Sequence, residues 1–237
     1  TPVPDGTAAV YWVADSGMGL VLYREYIKAP AGSDPAVIAL KHIVADGTES
    51  VDGDYENMWG NGSTINSVTY SGELATVDLT IKRLNVGALS EQRAIDQLVW
   101  SLTENHPQTT QVLFKSDGQP LESFAGHVDA RAAFARQPAF EVLAPIWIDF
   151  PRGNVTSPVV ATGTACTFEG AFAWEILQGG ATIARGSGLA DEACPVRSSW
   201  RVELGALDPG KYLLRVIDYS AEDGSINQVD TKPFRVR

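Results

Sequence analysis

The sequence predicts two folds in series: an α+β domain over residues 8–142 and an all-β sandwich over residues 145–237. Two observations carry this reading. Helical periodicity is clear in two segments before residue 144 and absent after it. Beyond Pro145, short β-branched and aromatic runs recur between Gly/Pro turns, the pattern of a sandwich. With 237 residues, the chain is long enough for two ordinary cores. A hydrophobic content of 44% and a charged content of 20% are those of a globular protein.

The elements follow in chain order. Ala8 to Val13 reads as a strand, Asp15-Ser16-Gly17 as a turn, and Leu20 to Ile27 as a second strand, giving a hairpin. Gly17-Met18-Gly19 resembles a dinucleotide-binding loop only superficially, because a strand and not a helix follows it. Ser33-Asp34-Pro35 starts a helix, with a capping side chain and Pro at the first helical position. Val37, Ile38, Leu40 and Val44 form its apolar stripe, and Gly47 ends it. Thr64 to Tyr70 and Glu73 to Ile81 read as strands. Ser90 is expected to cap the longest helix, which runs to about Glu104, with Ile95, Leu98, Val99 and Leu102 on one face and Pro107 as the stop. Thr110 to Lys115 is a further strand, closed by Ser116-Asp117-Gly118. Asp129 to Gln137 is expected to form a short helix. The order β-β-α-β-β-α-β predicts an α+β domain with its helices on one sheet face.

Seven strands follow: Ile146–Phe150, Pro158–Ala165, Phe172–Leu177, Thr182–Gly186, Ser199–Leu204, Lys211–Tyr219 and Thr231–Val236. That is the number of an immunoglobulin-like sandwich. Asp208-Pro209-Gly210-Lys211-Tyr212 resembles a tyrosine corner, and Trp174 is the expected core anchor. The connector Pro138 to Pro145 is short and apolar. Phe140, Val142 and Leu143 are expected to be buried there, which predicts a fixed arrangement of the two domains.

The net charge of -11 is unevenly shared: Thr1–Ala144 carries 9 Lys+Arg against 18 Asp+Glu, and the rest carries 9 against 11. This balance argues against nucleic acid as a partner, since phosphate binding needs clustered bases. No run approaches the roughly 18 apolar residues of a membrane helix. The chain opens on a short Pro/Gly-containing lead, which reads as the stump of a linker from which a signal or anchor segment was removed. The two cysteines, Cys166 and Cys194, suggest one disulfide and an oxidising compartment, with two buried free thiols as the alternative.

No metal or other cofactor is implied. His42 and His106 lack a ligand-spaced neighbour, and no nucleophile elbow of the Gly-x-Ser-x-Gly type is present. His127 lies two residues before Asp129, which could orient it as a base, but a structural histidine is the preferred reading. Asp52, Asp54 and Glu56 imitate the start of a calcium loop, yet Asn57 and Ser63 occupy the places that need Gly and Glu. Tyr55, Trp59 and Tyr70 are expected near this acidic loop. Together with Asp52, Asp54, Glu56 and His127 they form the candidate binding set, with core packing as the competing role of the aromatics.

Residues from about Ala8 to Arg136 resemble the GerMN domain, a sporulation and germination module. The resemblance rests on Val10-Tyr11-Trp12-Val13, Gly19-Leu20-Val21, Asp78-Leu79-Thr80, Ala94 through Thr103, Val112-Leu113-Phe114, Asp117-Gly118-Gln119-Pro120, Gly126-His127 and Arg131. Residues from about Pro145 onward resemble the immunoglobulin-like domain of bacterial spore germination. The matching residues are Ile148 through Pro151, Ser157-Pro158-Val159, Gly163-Thr164-Ala165, Phe168-Glu169, Glu175-Ile176 and Pro209-Gly210-Lys211-Tyr212. The resemblance implies a secreted or lipid-anchored protein of Gram-positive bacteria, outside the cytoplasmic membrane and without established enzymatic activity, so the expectation is a protein that is not an enzyme. GerMN domains are similar to ring-building modules, so the implied partners are another envelope protein or further copies of the chain. Peptidoglycan is the second candidate partner, and a hydrolase ranks third. Membrane contact is expected only through the removed anchor. Spore formation itself does not follow from the resemblance.

Overall fold

The computed structural model describes residues 2–16, 19–60, 62–82, 84 and 86–237. The expected Asp15-Ser16-Gly17 turn and the Gly17-Met18-Gly19 segment include positions outside the described residues. The chain divides into two compact units, Pro2–Leu143 and Ala144–Arg237.

In the first unit, β1 (Thr7–Asp15) and β2 (Leu20–Lys28) pair antiparallel from Thr7↔Lys28 to Asp15↔Leu20. The interior of β1, Ala8 to Ala14, is buried throughout, as its unbroken apolar run requires. Its second edge therefore needs partners away from water. Helix α2 (Ala88–Asn105) supplies them through side chains. Asn105 accepts from Ala9 N and donates to Ala9 O, and Ser101 Oγ accepts from Tyr11 N. Glu56 completes the edge by backbone pairing with Val13.

Helix α1 (Pro35–Val44) begins where expected, with Asp34 Oδ1 accepting from Ala36 N and Val37 N. Helix α2 begins two residues before Ser90. Its N-cap is Gly87, which offers no side-chain bond, so Ser90 sits inside the first turn. The helices pack on each other and on β1, and α1 also meets β3. Strands β3 (Thr64–Ser71), β4 (Leu74–Thr80), β5 (Gln111–Ser116) and β6 (Gln119–Pro120) form a second sheet in that order. The α+β class holds, with the strands divided between two sheets. β4 and β5 are parallel, and α2 is their crossover. No helix forms over residues 129–137. There Phe134 pairs with Val112 through its backbone, which a helix could not do. The next helical turn is α3 (Ala139–Val142). In the connector Val142 and Leu143 are buried, whereas Phe140 is 81% exposed, against expectation.

The second unit is a sandwich. One sheet has the order β11-β10-β13-β14-β8 and the other β12-β9-β7. Their ranges are β7 Ile146–Phe150, β8 Gly153–Val155, β9 Val159–Ala165, β10 Ala171–Gln178, β11 Ala181–Leu189, β12 Ser198–Gly205, β13 Gly210–Tyr219 and β14 Ile226–Val236. Ile146, Ile148, Val159, Ala161, Phe172, Ile176, Trp200, Leu214, Val216 and Phe234 fill the space between them. The core tryptophan is Trp200, not Trp174. Trp200 lies opposite Gly163 in the register, and a Cβ at Gly163 would collide with its ring and with the Trp147 carbonyl. Trp174 is only partly buried and caps Gly186 on the edge strand. The tyrosine corner is present, with Tyr212 Oη donating to Asp208 O at 2.8 Å. Among the described residues no helix is long and apolar enough to cross a membrane.

Candidate functional site

The segment 46–60 forms a polar concavity of about 540 Å³, lined by Thr48, Glu49, Ser50, Tyr55, Glu56 and Asn57 with glycines between them. Its shape is set from within. Asn57 Nδ2 donates to Ile43 O at 2.8 Å and Thr48 O at 3.0 Å, and its Oδ1 accepts from Trp59 N. Asp52 is buried, and its Oδ1 accepts from Asp54 N at 3.1 Å, a local turn made by an acidic side chain. Ser50 Oγ donates to the carbonyls of Asp52 and Tyr55. Asp54 and Glu56 are exposed. The concavity therefore offers mainly acceptors and suits a ligand that brings donors.

The aromatic residues do not build a platform beside it. Tyr55 is buried and stacks on Tyr23, with ring centroids 4.6 Å apart. Trp59 is 1% exposed, donates its indole N–H to Ala94 O at 2.8 Å, and meets Phe124 edge-on. Tyr70, on β3, reaches the start of α1. Its hydroxyl donates to Asp34 Oδ2 at 2.7 Å, and its ring stacks on His106 at 4.1 Å. Burial first, and then the Asp34 carboxylate, push the Tyr70 phenol well above its ordinary range.

His127 is exposed, and the Asp129 carboxylate, which could have oriented it as a base, is engaged elsewhere. Both Asp129 oxygens pair with Arg131, at 2.9 and 2.7 Å, and this pairing lowers Asp129 to about 2.

The most strongly organised group in this unit is Glu91, which the sequence reading did not single out. Its carboxylate is fully buried at the start of α2. Oε1 accepts from Ser123 Oγ at 2.8 Å, Phe124 N at 3.1 Å and Ala125 N at 2.8 Å. Oε2 accepts from His127 N at 2.8 Å and Val128 N at 3.3 Å. Burial pushes the carboxyl up, but the bonds from Ala125, Ser123, His127 and Phe124 outweigh it, so the group lies below the usual range. Glu91 is thus a fixed anion that folds the 123–128 loop around itself. In the second unit Cys166 and Cys194 form a disulfide. Among the described residues no group of three or more His, Cys, Asp or Glu side chains could hold a metal.

Residues 9–122 match the family model described as sporulation and spore germination, and residues 145–225 match the immunoglobulin-like domain of bacterial spore germination. Among solved structures, the chain is similar to the first GerMN domain of the sporulation protein GerM from Bacillus subtilis. That pair shares 18% identity over 55% of this chain and 97% of the other, with a TM-score of 0.45. The tandem GerMN domains of the same protein give 12% identity over 84% of this chain and 62% of the other, with a TM-score of 0.45. Fibronectin(III)-like modules of CbhA from Clostridium thermocellum give 19% identity over 39% of this chain and 95% of the other, with a TM-score of 0.26. No curated protein matches the chain.

Proposed function

Since this chain carries a sporulation and spore germination module followed by an immunoglobulin-like domain of bacterial spore germination, we propose that it is a non-catalytic binding or assembly protein of the cell envelope. The pairing of these two modules is the observation that carries the reading. Two features support it. The disulfide suits an oxidising compartment outside the cytoplasm. Three acidic side chains of the first unit are committed to structure: Glu91 holds a loop, Asp34 caps α1 and Asp129 pairs with Arg131. The expected partners are an envelope protein or further copies of this chain. With Tyr55 and Trp59 buried, a sugar-stacking surface at the acidic loop has little support.

The test incubates the full chain with detergent-solubilised envelope proteins and, separately, with purified peptidoglycan. The reading expects a specific protein complex and no retention on the wall. Retention on peptidoglycan without a protein complex would replace it with wall binding.

A further inference from the structure

Four large apolar side chains that the sandwich leaves in solvent lie at one end of its larger sheet. Phe168 is 64% exposed, Leu189 67%, Tyr219 44% and Ile226 57%. Register explains the grouping: Leu189 lies opposite Ala171 at the start of β10, and Ile226 opposite Tyr219 at the end of β13. Between Phe168 and Tyr219 runs a groove of about 410 Å³. Ala171 and Ala173 line it, small residues that leave room for a guest side chain, and Phe172 and Ala221 complete its apolar lining.

The turn that carries Phe168 is held under constraint. Glu169 adopts φ +53°, a left-handed conformation that non-glycine residues avoid. Cys166, two residues before Phe168, is tied to Cys194, and Thr167 O accepts from Cys194 N. On the other side, Gly170 O accepts from Ala190 N. The disulfide and these two bonds pin the turn to the 190–194 loop and hold an exposed aromatic ring at the groove's edge. A costly conformation fixed so that it presents an apolar side chain to water is pre-organisation for a contact.

Charge identifies what would fill the groove. Glu169 lines it directly. Glu222 and Asp223 follow Ala221, and Asp191 and Glu192 sit on the clamped loop, all of them exposed. The base closest in sequence to that loop, Arg197, is turned away: its guanidinium stacks on Trp147 at 4.4 Å and donates to Ala144 O. A second copy of this rim would be repelled, whereas an apolar side chain flanked by Lys or Arg would be matched.

We propose that this groove is a docking site for a partner-protein segment carrying an aromatic or aliphatic residue between basic residues, with Phe168 as its anchor. The proposal rests on the binding reading above and names the surface and the chemistry of the partner. The test uses the oxidised full chain and a fluorescent peptide, Gly-Lys-Leu-Phe-Lys-Gly. Two control peptides replace the lysines with glutamate or the Leu-Phe pair with Ser-Ser. The basic apolar peptide is expected to bind, more weakly as salt rises, and to shift the amide resonances of Ala171, Ala173 and Ala221. Phe168→Ala removes a solvent-exposed ring, so folding is preserved, and should weaken binding roughly tenfold or more. Glu169→Gly keeps the left-handed turn and removes the carboxylate, so it should weaken binding less than Phe168→Ala and flatten the salt dependence. Absence of peptide binding, equal binding of the lysine and glutamate peptides, or indifference to Phe168→Ala would each overturn the proposal. Self-association lost in Phe168→Ala would also overturn it, by making a second copy the occupant. Capture of an envelope protein that survives Phe168→Ala would refute the groove alone and leave the broader reading intact.

Discussion

Glu91→Gln is the sharpest structural perturbation available in the first unit. The substitution keeps the side chain's shape and one carbonyl oxygen, which can still accept from Ser123, Phe124 and Ala125. The other oxygen becomes an NH₂ group that faces the His127 and Val128 amides, donor against donor. Orphaning two part-buried donors costs about 1–2 kcal/mol each, and the lost charge weakens the bonds that remain, for a total of about 3–4 kcal/mol. That is less than the stability of a typical domain, about 5–15 kcal/mol, so the 123–128 loop should open while the fold survives. Amide hydrogen exchange on the full chain reads this directly. Phe124, Ala125, His127 and Val128 should exchange roughly a hundredfold faster or more, since each 1.4 kcal/mol is about tenfold, while amides of the sandwich core are unchanged. The pH dependence follows from the sign of the shift. The folded carboxyl is lowered, so its contribution is complete above the ordinary glutamate range and is lost as pH falls through the lower folded value. Glu91→Gln should remove that acid limb. If these four amides exchange within a factor of about two of wild type, the loop is held by Phe124, which packs on Phe114 and Trp59, and the carboxylate argument fails.

Other expectations concern both units. Tyr212→Phe removes the bond to Asp208 O and should lower sandwich stability by about 1 kcal/mol in denaturant titration; an unchanged midpoint contradicts the corner's role. Gly163→Ala should abolish sandwich folding or cost several kcal/mol, roughly 3 or more, visible as lost dispersion of sandwich resonances. Replacing Cys166 and Cys194 together by serine should cost about 3 kcal/mol, and intact-mass analysis after alkylation without reductant should find no labelled thiol in the wild-type chain. Asp34→Asn should move the Tyr70 phenol toward its ordinary range without fully restoring it, because burial remains the larger cause; ultraviolet titration checks this.

What the sequence revealed was mainly what is local. Asp34-Pro35 announces a helix start within four residues, and the capping bonds are there. The tyrosine corner spans five residues and is likewise present. The structure departs from the sequence pattern where distant contacts decide. Ser90 has the composition of a cap, but α2 is fixed by side chains reaching β1 and by Glu91 reaching a loop 32 to 37 residues away, so its start slides to Gly87. Residues 129–137, rich in Ala and Arg, have helical propensity, which backbone pairing of Phe134 with Val112 overrides. Trp174 and Trp200 both sit in strands, and only the register, Trp200 against Gly163, shows which one enters the core. Glu91 was invisible for the same reason: an acid in a helix's first turn ordinarily complements the dipole at the surface, and nothing local signals its burial. The apolar groove likewise emerges only once β10 is paired with β13, which sets Ala171 and Ala173 beside Tyr219.

The claim that this chain works by binding in the cell envelope is tested most directly by cross-linking it on intact cells with a membrane-impermeant reagent. The account expects a discrete adduct between the full chain and another protein, formed without permeabilisation and with Cys166 and Cys194 oxidised. An adduct that forms only with a permeant reagent, on a chain whose two thiols are reduced, would contradict it.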